Sequence, residues 1–142
     1  MNIKVGDMWS TWDDPDTLFC VTTNSVVRVD NELVMGRGIA KAIRERVPDL
    51  AALAGKIINL QSDPENYGLI ILDIHGRRIG LFQVKRHFKE SADTALISAA
   101  VTKLCSWCAA HPDVVVNLNF PGIGHGRLDE NEVLPLLAPL PD

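Results

Sequence analysis

The sequence contains two glycine-rich turns, Val34-Met35-Gly36-Arg37-Gly38-Ile39-Ala40 and Pro121-Gly122-Ile123-Gly124-His125-Gly126. The first turn opens a predicted helix, and the second follows a predicted strand. Glycine lets the backbone approach an anion closely, and the unpaired N–H groups at a helix start attract negative charge. Two such turns around one ligand are typical of a diphosphate site. We therefore expect a nucleotide-like ligand.

Neither of the common nucleotide motifs fits the first turn. The pattern G-x-x-x-x-G-K-[ST] is absent, and Lys41 stands where a G-x-G-x-x-G fingerprint needs its third glycine.

The pattern of apolar residues predicts strands that alternate with helices. Strands are expected over 3–5, 18–21, 57–60 and 114–118, a hairpin over 69–84 with its turn at 75–78, a helical turn at 49–54, and helices over 38–47, 91–110 and 128–137. The apolar run 114–118 is typical of a central strand covered on both faces. Residues 1–142 thus predict one α/β domain with three layers, α/β/α, and a mixed central sheet. In such sheets ligands lie at the carboxyl ends of strands, where both turns fall.

Composition restricts the classes of function. The net charge of −4 argues against general nucleic-acid binding, and the basic residues of the hairpin region are typical of a charged strand edge (Arg77, Arg78, Lys85, Arg86, Lys89). Three cysteines are too few for a disulfide scaffold, and no apolar run has membrane-spanning length. The four histidines lack metal-ligand spacing. We expect a cytoplasmic protein, monomeric by default, with no membrane association, metal or cofactor.

Several stretches together resemble the macrodomain family, α/β proteins that bind ADP-ribose. The similar stretches are Lys4-Val5-Gly6-Asp7-Met8, Val21-Thr22-Thr23-Asn24-Ser25, Leu81-Phe82-Gln83-Val84-Lys85, the first turn, and Asn119-Phe120 with the second turn. The first turn and the lysine-bearing strand are most similar to the branch that includes the terminal ADP-ribose glycohydrolases and the DNA ADP-ribosyl glycohydrolases. Phage-encoded members look closest around the second turn and the helix at 133–137. The resemblance covers essentially the whole chain.

The sequence departs from the family pattern at several places. Residues 25–32 are extra, position 22 is threonine where many relatives have asparagine, and the chain ends at Asp142 where many relatives continue into another strand.

The resemblance implies a set of ligand-binding residues. Asp7 would accept a hydrogen bond from the adenine amino group beside the Met8 backbone, and Asn24 would bind the distal ribose. The turns and their flanks would bind the diphosphate and riboses through Met35, Gly36, Arg37, Gly38, Ile39, Ala40, Phe120, Pro121, Gly122, Ile123, Gly124, His125, Gly126 and Arg127. Plainer roles stay open. Asp7 and Asn24 suit turns, Phe120 suits a core, and His125 suits an exposed position.

The resemblance also implies two catalytic residues. Lys85 would attack the anomeric carbon of the distal ribose, which requires a neutral amine favoured by burial or by a cation such as Arg86. Asp129 would act as acid or base, although it lies about one residue from the family's position. The alternatives are an exposed lysine at a hairpin end and, with Glu132, a capping box for the last helix.

The function implied is hydrolysis of an ADP-ribosyl linkage on a protein, a nucleic acid or a metabolite. The alternatives are a phosphatase for ADP-ribose 1''-phosphate and a non-catalytic module that binds ADP-ribose or another NAD-derived nucleotide.

Overall fold

The computed structural model describes residues 6–122 and 126–141. The strand predicted over 3–5 and the turn residues Ile123, Gly124 and His125 lie outside the described residues. In chain order the elements are a 3-10 helix (Met8–Thr11), β1 (Thr17–Thr23), α1 (Gly38–Arg46), α2 (Leu50–Asn59), a second 3-10 helix (Pro64–Asn66), β2 (Leu69–Ile74), β3 (Arg77–Gln83), α3 (Thr94–Ala110), β4 (Val115–Leu118) and α4 (Glu130–Leu137). No helix in these ranges is long and apolar enough to cross a membrane.

The sheet is mixed, as predicted. Its strands lie in the order β2-β3-β1-β4, and β1 runs parallel to both of its neighbours. β2 and β3 form the predicted antiparallel hairpin. Its turn residues His75 and Gly76 have positive φ values of 51° and 77°, which match the twist of a two-residue hairpin turn.

Helices cover both faces of the sheet. Alternate residues of β1 point to opposite sides: Phe19 and Val21 pack with α1 and α2, whereas Leu18 and Cys20 pack with α3 and α4. The prediction of three layers is therefore confirmed.

The strand predicted over 57–60 is wrong. Ile57, Ile58 and Asn59 form the last turn of α2, which also contains most of the helical turn predicted at 49–54. Ala51, Ala54 and Ile58 have helical spacing, and all three are fully buried. A short β-branched run cannot be assigned to strand or helix by its composition alone.

The last predicted strand forms, but its surroundings differ from the prediction. Within residues 6–122 and 126–141, β4 is the outermost strand beside β1, and Val115 is 64% exposed. Next to β4 lies the first 3-10 helix, where the Asn117 Nδ2 donates to the Met8 carbonyl (3.2 Å). Within the described sheet β4 is therefore an outer and partly exposed strand, in contrast to the central strand that its apolar run predicts.

The basic residues of the hairpin region are largely neutralised. Ion pairs join Arg77 to Asp13, Arg78 to Asp73 and Arg86 to Asp93. These contacts agree with a charged strand edge.

Candidate functional site

Three parallel strands end at one edge of the sheet. Asn24 follows β1, Lys85 follows shortly after β3, and the second turn follows β4. The Asn119 side chain joins two of these ends, because its Oδ1 accepts from the Thr22 N–H (3.0 Å) and its Nδ2 donates to the Thr22 Oγ1 (2.9 Å). Thr22, one of the departures from the family pattern, therefore helps to hold the second turn beside β1.

The first turn has the backbone that a helix-start anion site needs. Gly38 has a φ of 58°, a left-handed conformation that favours glycine, and it begins α1. A Cβ added to Gly36 would meet nothing within 4 Å, so the turn faces open space there. Met35 is 1% exposed and belongs to the core, and the partly buried Ile39 and Ala40 pack against the same core. These three residues can therefore serve a ligand mainly through their backbone.

Two glycines of the second turn, Gly122 and Gly126, have a packing role. Gly122 has a φ of 82°, and a Cβ there would lie 2.9 Å from the Ile97 and Leu128 side chains. The Gly126 carbonyl accepts from the Ala92 N–H (2.7 Å) and the Gly122 carbonyl from the Leu128 N–H (2.8 Å). Close contact with the segment that leads into α3 thus explains both glycines without a ligand.

The other described residues of the second turn divide between core and surface. Pro121 is buried, and Phe120 packs against the core beneath α3 and α4. Arg127 is exposed and has a φ of 62°. The predicted ligand contacts of Ile123, Gly124 and His125 stay predictions.

Lys85 lies where both turns influence its charge. Its Nζ donates to the carbonyls of Phe88 (3.2 Å) and Glu90 (3.4 Å). The pKa of Lys85 is lowered by burial, and further by the positive charges of Arg127 and Arg37, while Glu90 opposes the shift. Arg37 belongs to the first turn and Arg127 follows the second. An arginine of the first turn and an arginine just after the second turn therefore both lie within electrostatic range of Lys85.

The predicted role of Arg86 needs correction. Its guanidinium pairs with Asp93 (2.9 Å) and donates to the Asn66 Oδ1 (2.8 Å). The Arg86 carbonyl accepts from both the backbone N–H and the hydroxyl of Ser25. Arg86 thus stabilises the segment after β3 through these contacts. The cations that lower the pKa of Lys85 are instead Arg127 and Arg37.

Asn24 and Asp7 have structural partners. The Asn24 Nδ2 donates to the Val34 carbonyl (3.0 Å) and its Oδ1 accepts from the Val26 N–H (2.8 Å), which braces the loop before the first turn. The Asp7 carboxylate accepts from the Trp9 N–H (2.9 Å) and caps the first 3-10 helix. Their contacts with ribose and adenine, and that of the Met8 backbone, stay predictions.

Asp129 forms the predicted capping box. Its carboxylate accepts from the Asn131 N–H (2.9 Å), and the Glu132 carboxylate accepts from the Asp129 N–H (3.3 Å). In the described part of the chain no contact joins Asp129 to Lys85. No cluster of three or more His, Cys, Asp or Glu residues suited to a metal occurs there either.

A buried polar network that the sequence analysis missed holds two of the strand ends. The Tyr67 hydroxyl donates to the Asn24 carbonyl (2.7 Å) and also bonds the Thr23 hydroxyl. The Gln83 Nε2 donates to the carbonyls of Glu65 (2.6 Å) and Lys85 (3.3 Å). Tyr67 is 2% exposed and Gln83 is fully buried. The feature of the sequence that could have indicated this network is Gln83, a polar residue within an otherwise apolar strand.

This arrangement of strands, helices and turns occurs in solved structures. The macrodomain of Mycobacterium tuberculosis DarG superposes with a TM-score of 0.73 over 95% of this chain and 85% of that chain, at 24% identity. The chain has the macrodomain fold. The macrodomain of Thermus aquaticus DarG gives a TM-score of 0.70 over 93% of this chain and 83% of its own length, at 20% identity.

A further match is the Thermosipho africanus DarTG in complex with ADP-ribose, with a TM-score of 0.73 and 22% identity. The match covers 94% of this chain but only 36% of that longer chain. No family model matches the sequence, and no curated protein matches it. The predicted fold class is thus confirmed, whereas the likeness to phage-encoded members stays a prediction.

Replacing Tyr67 with phenylalanine tests the buried network. The free energy of unfolding should fall by about 1–3 kcal/mol, because the Thr23 hydroxyl and the Asn24 carbonyl lose a buried partner. Denaturant titration measures the change. Ser106→Ala is the control, since it removes a hydroxyl bonded to the Thr102 carbonyl on an exposed helix face. Similar losses in both variants would contradict the role assigned to Tyr67.

Proposed function

We propose that the protein binds ADP-ribose and hydrolyses an ADP-ribosyl linkage at the distal ribose. The observation that carries this proposal is Lys85, whose pKa is lowered by burial and by two arginines, Arg127 just after the second turn and Arg37 in the first turn. The macrodomain fold supports the ligand, since the Thermosipho africanus DarTG is a complex with ADP-ribose.

The diphosphate would lie between the two turns. Arg37 and Arg127 would supply positive charge, and the backbone N–H groups at the start of α1 would donate to phosphate oxygens. Asp7 and Met8 would hold the adenine, and Asn24 the distal ribose. The turn residues from 35 to 40 and from 120 to 127 would complete this site.

Lys85 would act as the nucleophile. Its neutral Nζ would form a bond to the anomeric carbon while the bond from that carbon to the target breaks, with the electron pair leaving on the target atom. Water would then hydrolyse the lysine adduct and release ADP-ribose. A lowered pKa increases the fraction of neutral amine near pH 7, which this step requires.

A module that binds ADP-ribose without turnover is the second candidate. It is favoured by Asp129, whose carboxylate is engaged in the capping box and which has no described contact with Lys85. Turnover of an ADP-ribosylated substrate by the wild-type protein separates the enzymatic function from the binding function.

Lys85→Ala should lower turnover of an ADP-ribosylated substrate at least about 100-fold, because the nucleophile is lost. Its affinity for ADP-ribose, measured by calorimetry, should stay within about threefold, since the amine acts on the scissile bond. Lys89→Ala, on the same exposed turn, is the matched control and should behave as the wild type. Undiminished turnover in Lys85→Ala would remove Lys85 from the mechanism.

The pH profile of turnover should respond in opposite directions to two charge changes. Turnover rises as Lys85 loses its proton, so the rising limb follows the pKa of Lys85. Glu90→Gln removes a charge that raises this pKa and should move the limb to lower pH. Arg127→Gln removes a charge that lowers it and should move the limb to higher pH. Identical profiles in both variants would mean that Lys85 does not control the rate.

Substitutions of Asp129 separate capping from catalysis. Serine caps helices about as well as aspartate, whereas alanine costs about 1 kcal/mol. Asp129→Ser should therefore keep both the unfolding free energy and turnover close to those of the wild type, and Asp129→Ala should lose stability. A large loss of turnover in Asp129→Ser, with stability retained, would instead assign Asp129 as the acid or base.

A further inference from the structure

A cleft of about 430 Å³ lies at the same edge of the sheet as Lys85. Its walls come from three segments: the extra loop after β1, the turn after β3, and the second 3-10 helix before β2. The lining residues are Ser25, Val26, Val27, Glu65, Arg86, His87 and Glu90.

The sheet order places this cleft away from the second turn. In the order β2-β3-β1-β4 the second turn follows β4, whereas the cleft lies at the ends of β1, β3 and β2. Lys85 follows β3 beside the cleft, and its Nζ donates to the carbonyl of the lining residue Glu90 (3.4 Å). If ADP-ribose lies between the turns with its anomeric carbon at Lys85, the group attached to that carbon lies next to the cleft.

The charges of the cleft disfavour a phosphate-rich target. Glu65 and Glu90 are exposed acidic residues in its wall. Arg86, the basic residue of the wall, is already paired with Asp93 (2.9 Å). Within the lining, one positive charge therefore stands against two negative charges. Phosphodiester backbones bind through cations, so these carboxylates repel them.

The remaining wall suits a neutral chain with hydrogen-bonding groups. Val26 and Val27 are half-buried and present apolar surface. The His87 Nδ1 accepts from the Lys89 N–H (3.1 Å), which leaves the Nε2 of a neutral ring as the N–H donor. The His87 ring stacks on Phe88 with centroids 4.3 Å apart, which restrains its orientation.

We propose that this cleft binds the target that carries the ADP-ribosyl group, and that it selects a neutral or basic polypeptide segment over a polynucleotide. This inference rests on the proposed function and extends it, because it assigns the lining residues of the loop after β1 and of the turn after β3 to target recognition (Ser25, Val26, Val27, Arg86, His87 and Glu90).

The test compares two substrates in three proteins. The substrates are a basic peptide with ADP-ribose on a carboxylate side chain and a single-stranded oligonucleotide with ADP-ribose on a base. Because the two linkages differ in reactivity, the readout is the change in kcat/KM for each substrate between the wild type and Glu65→Lys. Asp113→Lys is the matched control, since it makes the same charge change at an exposed position before the start of β4, at the opposite edge of the sheet.

The wild type should prefer the peptide. Glu65→Lys should raise kcat/KM for the oligonucleotide about fivefold or more, lower it for the peptide, and steepen the loss of oligonucleotide activity with salt. Asp113→Lys should change neither substrate. Equal effects of the two lysine substitutions, or a wild-type preference for the oligonucleotide, would overturn the inference.

A binding experiment separates this inference from the proposed function. Lys85→Ala is titrated with free ADP-ribose and with each intact conjugate. Tighter binding of the peptide conjugate than of free ADP-ribose supports the cleft, and tighter binding of the oligonucleotide conjugate contradicts the cleft alone. Failure of the wild-type protein to bind free ADP-ribose contradicts the proposed function, and the inference falls with it.

Discussion

Parallel hydrogen bonding of β1 to both β3 and β4 brings three strand ends to one edge of the sheet. Each end leads into a segment of the candidate site: the loop before the first turn, the turn with Lys85, and the second turn. Side-chain hydrogen bonds then hold these ends together. Asn119 joins β4 to Thr22, and buried Tyr67 and Gln83 hold the backbone at Asn24 and Lys85. Without this pairing the predicted site residues would lie far apart.

The electrostatics of the site contrast with those of the whole chain. The protein has a net charge of −4, yet Arg37, Arg127 and Lys85 lie close enough for the arginines to lower the pKa of the lysine. Like charges held together favour an anionic ligand and a neutral amine at the same time. The neighbouring cleft is lined by two carboxylates and one arginine, so under the proposed function the two sides of the scissile bond would differ in charge.

Several residues that the motifs single out have structural tasks. Asp129 completes a capping box, Asp7 caps a 3-10 helix, Asn24 braces a loop, and Gly122 packs against α3. Lys85 differs from them, since its pKa is shifted by groups from two distant segments. A functional role is therefore better supported for a motif residue whose pKa or contacts depend on distant segments than for one whose contacts lie within its own turn.

The amino-acid sequence by itself determined the local structure and the class of fold. Apolar spacing, the Asp129 capping box and the hairpin turn at Gly76 act over a few residues, so they are visible in the chain. Tertiary structure decided the features that depend on long-range contacts. Residues 57–59 complete a helix, and β4 is the outermost strand of the described sheet. The cations that lower the pKa of Lys85 are Arg127 and Arg37 rather than Arg86. Contacts between residues far apart in sequence depend on how the strands pair, and spacing along the chain does not encode that pairing.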